Sequence, residues 1–294
     1  MEMMGRFARF TQSELQRSFA LLRTTSEWLG VTTGGGIMRK RLVGLAVAAT
    51  LGAAMFSFRT TASLARGPAK RKLLYLTQSA GFRHDVIPFS TGIVKDIGEK
   101  SGEFETTIAA DVSGFTAENL KNYDAVMFYT TGELPMSDEQ KGAFIHYIQS
   151  GHGFVGVHSA TDTFYMWEPY LKLIGGYFND HPWHQVVTVD VVDPSDPIVS
   201  ELPSSFQIND EIYQISDFQA DTSHVLLKLD PGSVDLKKGG VRPRFYGWPL
   251  AWTRTDGDGR VFYTGLGHEQ STWEDPRFQK LLLNGIKWAM GDLK

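Results

Sequence analysis

The 294-residue chain contains no cysteine. That excludes disulfides, thiolate catalysis, and zinc or iron–sulfur sites held by cysteine. It has no strong charge of either sign: 29 Lys and Arg stand against 33 Asp and Glu, a net charge of -4. With no basic stripe among interleaved aromatics, nothing marks a nucleic-acid surface. There is no P-loop and no Gly-x-Gly-x-x-Gly fingerprint, so no nucleotide cofactor is expected. Internal repeats, low-complexity runs and an interdomain linker are also missing. What remains is an ordinary globular composition, 42% hydrophobic and 21% charged, together with many aromatic rings that suit core filling or sugar stacking.

The long apolar run closest to the N-terminus reads as an address. Met38-Arg39-Lys40-Arg41 is a basic start, Leu42 to Phe58 is uncharged and Ala/Leu/Val-rich, and Ala62-Ser63-Leu64-Ala65 supplies small residues before a cut after Ala65. Residues 38–65 therefore read as a signal peptide, which implies a periplasmic or secreted protein. The alternative is a membrane anchor through 42–58, a run of marginal length for a span. Residues 1–37 precede that signal, and we read them as a gene-model extension, with translation starting at Met38.

The folded part is expected over 70–292. Leu73 to Thr77, Phe104 to Ile108, Tyr123 to Tyr129 and Gly153 to Val157 are short apolar strands, separated by helical spacing at Ile87 to Glu99 and by a helix opening at the capping box Ser137 to Gln140. Strands alternating with helices indicate a mostly parallel sheet covered on both faces. A tight turn, Asp256 to Gly259, leads into the run Arg260 to Thr264; before it, from Trp183 onward, the pattern changes, with His184 to Val192 alternating and Glu211 to Ile215, Val225 to Leu229 and Leu250 to Arg254 as further short strands. They are expected to form an antiparallel extension or an inserted β-subregion. Asp275-Pro276 opens a last helix. The fold class is α/β, three-layered.

Five of the eight histidines sit where a strand gives way to a loop: His84, His158, His181, His184 and His268. In open α/β sheets, ligands bind beyond the carboxyl ends of the strands, and imidazole both titrates near neutrality and binds metals. We expect these residues to line one pocket. His158 in Gly156-Val157-His158-Ser159-Ala160 stands at a strand-to-helix elbow that lifts one side chain out of the sheet. Ser159 beside it offers a weaker reading as an acyl-transfer nucleophile, because the pattern is not Gly-x-Ser-x-Gly. His268-Glu269 follows Gly265 and Gly267 and offers a base with a carboxylate. We take His158 and His268 as the central catalytic pair, with Glu269 orienting His268. His181 and His184 flank Pro182 and, with His84, are candidate ligands of a divalent metal such as zinc. Asp210 and Glu211 are supporting carboxylates, and Asp180 is a further candidate.

These segments resemble a known family. Gly81 to Asp85, Gly156 to Thr163, Gly175 to Phe178 with His181 to Trp183, Asp210 to Tyr213, and Gly259 to Thr264 with Leu266 to His268 are similar to the trehalose-utilisation ThuA-like family, over about Lys72 to Met290. The resemblance implies a single domain of class I glutamine amidotransferase-like (flavodoxin-like) fold. His158 occupies the apparent position of the amidotransferase cysteine, and His268-Glu269 lacks the usual spacer, so glutaminase chemistry is rejected. The implied role is sugar catabolism, acting on a 3-keto-glycoside or related sugar by hydrolysis, elimination or isomerisation, with or without a metal. Phe82, Arg83, Glu133, Asp162, Trp183, Asp210 and Glu211 are taken as substrate contacts, whereas Trp183 and Trp273 are the stacking platforms that a binding module would need. The competing reading is a non-catalytic sugar-binding module, which needs aromatic platforms but no imidazole pair.

Overall fold

The computed structural model describes residues 70–242 and 247–294; the expected signal peptide and the segment before it lie outside them. Among the described residues, no helix is long and apolar enough to cross a membrane.

Four strands, β1 (Arg71–Leu76), β2 (Phe104–Ala109), β3 (Ala125–Phe128) and β4 (Gly153–Val157), pair in parallel in the order β2-β1-β3-β4. β4 then pairs in parallel with β9 (Gly259–Thr264). β3 and β4 are buried at every residue, as strands covered on both faces must be. Alternate side chains serve different layers. Leu73, Tyr75, Met127 and Val155 face α1 (Ile87–Ser101) and α6 (Pro276–Ala289). Leu74, Leu76, Val126 and Phe154 join a second core with α3 (Asp138–Gln149) and α4 (Glu168–Ile174). The short α2 (Ala117–Leu120) adds Leu120 to that second core.

The helices end and begin where the chemistry predicts. Ser137 and Gln140 exchange the two bonds of a capping box, Gln140 N–H to Ser137 Oγ at 3.2 Å and Ser137 N–H to Gln140 Oε1 at 2.9 Å. Asp275 caps α6 by accepting the Arg277 N–H at 2.8 Å, with Pro276 at the first helical position. α6 buries Phe278, Leu281, Leu282 and Ile286, each contributing about 1.5–3 kcal/mol.

The C-terminal strands extend the same nine-stranded sheet and form no separate subregion. Beyond β9 run β8 (Pro249–Asp256), β7 (His224–Leu229), β5 (Tyr177–Val191) and β6 (Ser205–Ser216), all antiparallel to their neighbours. β5 pairs with β7 only over Val189–Val191 but with β6 over its whole length. Its first twelve residues are therefore paired with β6 alone, as a two-stranded ribbon. Register shifts between Phe178 and Trp183 bend that ribbon, and the bend brings it against the turn at 158–162. The expected loop around Pro182 is instead part of β5. Proline is tolerated there because that stretch has no partner on the β7 side to receive an N–H.

The cap at Asp275 is testable. Burial raises its carboxyl, but the bonds from Arg277 hold it below its ordinary value. Its contribution is thus present above the unfolded carboxylate pKa of about 3.9 and lost as pH falls through the lower folded value. Asp275→Ala should lower stability by about 1 kcal/mol at pH 7, and by clearly less near pH 2, in urea unfolding. An equal cost at both pH values would remove the electrostatic part of this account.

Candidate functional site

β1, β3, β4 and β9 end on one edge of the sheet, and the segments that follow carry the site. His84 lies in the loop after β1. Thr130 and Thr131 follow β3. β4 runs straight into a 3-10 turn, His158–Asp162. The Gly265–Glu269 segment links β9 to α5 (Gln270–Glu274).

His158 is the elbow residue. Its φ is 46°, a left-handed conformation that costs a non-glycine residue of order 1–3 kcal/mol. The Tyr263 hydroxyl holds it there by donating to the His158 carbonyl at 2.7 Å. The ring is fully buried, and Nδ1 contacts the Gly265 carbonyl at 2.8 Å. A carbonyl only accepts, so Nδ1 carries the proton, and in the neutral ring Nε2 presents its lone pair.

Nε2 of His158 meets two partners, His268 Nδ1 at 3.2 Å and Glu211 Oε2 at 3.5 Å. His268 Nδ1 is itself 3.2 Å from Glu211 Oε2. His84 closes the group, with its ring centroid 5.0 Å from that of His158 and 5.1 Å from that of His268. The Tyr213 ring covers His158 at 4.1 Å between centroids. Donor atoms of His84, His158, Glu211 and His268 all fall within 4.8 Å of one another, as do those of His184, His268 and Glu269; these are the two groups among the described residues that could hold a metal.

The electrostatics follow from burial and from the one carboxylate inside. Burial pushes the Glu211 carboxyl up, but the facing His158 and His268, when protonated, pull it well below the usual carboxylate range. Burial lowers His268, and Glu211 more than offsets this, so its imidazole holds a proton more strongly than usual. His84 is pushed down to about 3 by burial, with repulsion from His158 and His268 adding to it. Burial thus keeps His84 neutral beside a readily protonated His268.

Asp210 builds the frame. Fully buried, it accepts N–H bonds from Gly267 at 2.6 Å and from His268, Glu269 and Glu211 at 3.0 Å. Burial raises its carboxyl, while His158 and the backbone donors oppose that rise. Gly267 turns at φ 128°, and a Cβ there would press on Val157 at 3.1 Å. Its carbonyl accepts from Tyr129 Oη at 2.9 Å and Trp273 Nε1 at 2.8 Å.

The structure brings His84, His158 and His268 together, as read from the sequence. The carboxylate beside His268 is Glu211, whereas Glu269 bonds His184 at 2.5 Å. His181 Nδ1 touches Glu211 Oε1 at 3.1 Å, so it lies behind the carboxylate. Trp183 and Trp273 are wholly buried, with their indoles bonded to the Asp235 and Gly267 carbonyls, so neither ring is a stacking platform. Asp210 faces backbone amides and not a ligand. Phe82 is 66% exposed and meets His84 edge-on at 4.9 Å. It borders a cavity of about 300 Å³ with His84, Phe89, His268 and Glu269. Arg83 and Glu133 are exposed, and Glu133 accepts the Met166 N–H at 3.0 Å. Asp162 accepts from Tyr165 Oη at 2.6 Å, and burial raises its carboxyl. Ser159 Oγ is buried without a hydrogen-bond partner, so no base activates it. Tyr213 and Tyr165 were not singled out from the sequence; Tyr213 stands two residues after Glu211 on one strand, which places both on the same face.

With this geometry in hand, similarity to known proteins is informative. The family model described as trehalose utilisation, ThuA, matches residues 72–289. A ThuA-like protein from Bacteroides uniformis ATCC 8492 is 28% identical over 80% of this chain and 96% of its own, with a TM-score of 0.66. A ThuA-like protein from Parabacteroides merdae ATCC 43184 is 21% identical over 77% and 92%, with a TM-score of 0.60. A cytoplasmic protein from Salmonella typhimurium LT2, 13% identical over 76% and 100% at a TM-score of 0.51, shares the fold alone. No curated protein matches the chain.

The frame residue gives a direct test. Asp210→Asn replaces one acceptor oxygen by an NH2 group facing backbone donors. It should cost about 1–3 kcal/mol, the cost of a buried group left unpaired, in urea unfolding. No loss would show that the loop after β9 is held by other contacts.

Proposed function

The chain belongs to the ThuA family of trehalose utilisation, and from that premise we propose that it is an exported carbohydrate-catabolism enzyme acting on an oxidised, 3-keto-glycoside by imidazole acid/base chemistry. The family places it in carbohydrate utilisation broadly; substrate and reaction are this proposal's own. The observation that carries it is the 3.2 Å approach of His158 Nε2 to His268 Nδ1, with Glu211 against both.

A 3-keto group acidifies the proton on C2. His158, whose Nε2 turns its lone pair toward the centre, takes that proton. His268, which Glu211 keeps protonated, donates toward the oxygen where negative charge gathers. In an elimination, the C2–H electron pair becomes the C1–C2 double bond, the anomeric C1–O bond breaks, and the leaving oxygen receives a proton. No oxidant or reductant is consumed. Hydrolysis and isomerisation share the first proton transfer. Exposed Phe82 offers an apolar face to the sugar ring at the mouth of the cavity. A binding module has no use for a buried imidazole pair, and the two tryptophans it would need are in the core.

With 3-keto-glucosides as substrates, His158→Ala and His268→Ala should each lose at least ~100-fold in turnover, the low end for a general acid/base group. Ser159→Ala should lose far less. If Ser159→Ala abolishes turnover while His158→Ala retains it, an acyl-transfer hydrolase replaces this reading. Export is checked separately, by N-terminal sequencing of protein from the native host: a chain starting near Arg66 is expected, and an intact cytoplasmic chain starting at Met1 would contradict it.

A further inference from the structure

We propose that His158 Nε2, His268 Nδ1 and Glu211 Oε2 are the three protein ligands of a divalent metal ion of the zinc class. His84, whose donor atom lies within 4.8 Å of these three and which borders a cavity together with His268, stands beside the fourth position, which we assign to water or a substrate oxygen. The inference rests on the reading of this cluster as the reacting centre, and with the ion bound it replaces the base and acid roles given above to His158 and His268, because a lone pair bound to a cation takes no proton.

Distance is the first argument. The three donor atoms are 3.2, 3.2 and 3.5 Å apart. Ligands bound tetrahedrally at about 2.0–2.1 Å stand about 3.3–3.4 Å from each other. The triangle is therefore close in size to one face of a tetrahedral shell. An octahedral shell at about 2.0–2.1 Å would bring neighbouring ligands to about 2.9–3.0 Å, shorter than all three separations.

The protons count the same way. His158 Nδ1 donates to the Gly265 carbonyl at 2.8 Å, so the neutral ring turns a lone pair toward the centre. Glu211 Oε2 also brings only lone pairs. These two acceptors meet at 3.5 Å, and in the metal-free protein the His268 Nδ1 proton is what stands between them. A cation takes the place of that single shared proton, which leaves to solvent, and it satisfies three lone pairs at once.

Metal-bound imidazoles donate their other N–H to a carbonyl or carboxylate, and metal-bound carboxylates are hydrogen-bonded in turn. His158 has the Gly265 carbonyl, Glu211 Oε1 has His181 Nδ1 at 3.1 Å, and the backbone of His268 is fixed by Asp210 at 3.0 Å. The fourth side carries His84, which is 4% exposed and whose Nδ1 is buried with no hydrogen-bond partner. Two imidazoles and one carboxylate with an open position form a catalytic zinc donor set. A cation there polarises the substrate oxygen as a Lewis acid. Proton transfer then falls to His184 with its partner Glu269, whose ring centroid is 5.0 Å from that of His268.

The test uses the full chain, stripped with chelator, dialysed, and titrated with Zn2+ or Co2+. We expect about one equivalent by elemental analysis and the intense visible bands of four-coordinate Co2+. Those bands are read on the unaltered protein and need no variant to fold. Among variants shown folded by circular dichroism, His181→Ala should weaken binding by about 10–100-fold, as for an outer partner. His158→Ala and Glu211→Gln should weaken it more than that, and His184→Ala should leave it unchanged. Absence of stoichiometric binding, a six-coordinate Co2+ spectrum, or loss of the ion on His184→Ala with retention on His158→Ala would overturn the assignment. A metal-free protein turning over 3-keto-glycosides at full rate ends the metal inference and leaves the proposed function. Stoichiometric four-coordinate Co2+ in a protein inert to those sugars does the reverse.

Discussion

Everything at the site depends on one buried carboxylate. Asp210 sits on β6, the last strand in the sheet order, yet it binds the amides of Gly267, His268 and Glu269, which follow the central strand β9. A charged group wholly removed from water is costly unless its oxygens are matched by donors, and here four backbone N–H groups supply the match. The amides of Gly267, His268 and Glu269 in turn find their acceptor in this carboxylate. The mutual need of donors and acceptor ties the outlying ribbon to the carboxyl edge of the parallel sheet. Because Glu211 is the next residue, the same tie sets the one carboxylate of the cluster beside His158 and His268.

A second constraint meets it from the other side. β4 ends in a residue held at positive φ, and Tyr263 clasps the carbonyl of that residue. Strain of this kind persists only where the surroundings enforce it. The outcome is a ring whose proton is assigned to the outward carbonyl and whose lone pair is left facing the centre. Packed next to a second buried imidazole and a third held protonatable by Glu211, it has little freedom to reorient. Such preorganisation is what acid/base and electrostatic catalysis require.

Much of the fold is legible in the sequence because its rules are local. Apolar runs such as Ala125–Phe128, a capping box at Ser137 and Gln140, and Asp275-Pro276 each specify an element without reference to the rest. The histidines at strand ends are legible for a related reason, since parallel strands share one carboxyl edge. Partnership between distant residues is not local. Glu269 adjoins His268 in sequence, so it looks like that histidine's carboxylate, yet the turn at Gly267 sends Glu269 toward His184. Glu211 takes its place through a ribbon that bends at the irregular pairing between Phe178 and Trp183, and no periodicity announces that bend. The one available signal is the pair Asp210-Glu211, two acidic residues within a strand that is otherwise buried through Ile215. Trp183 looks like a surface platform for the same reason: its alternation partner on the bent ribbon cannot be counted from sequence, and the ring is in the core.

The central claim is that His158, His268 and Glu211 form a single reacting unit. Residues that act as one unit show strongly non-additive losses. The most direct measurement is a double-variant cycle on turnover of a 3-keto-glucoside, comparing Glu211→Gln, His268→Ala and the two together. The account predicts that the double variant loses about as much as the worse single one. Losses that multiply, as for independent sites, would contradict it.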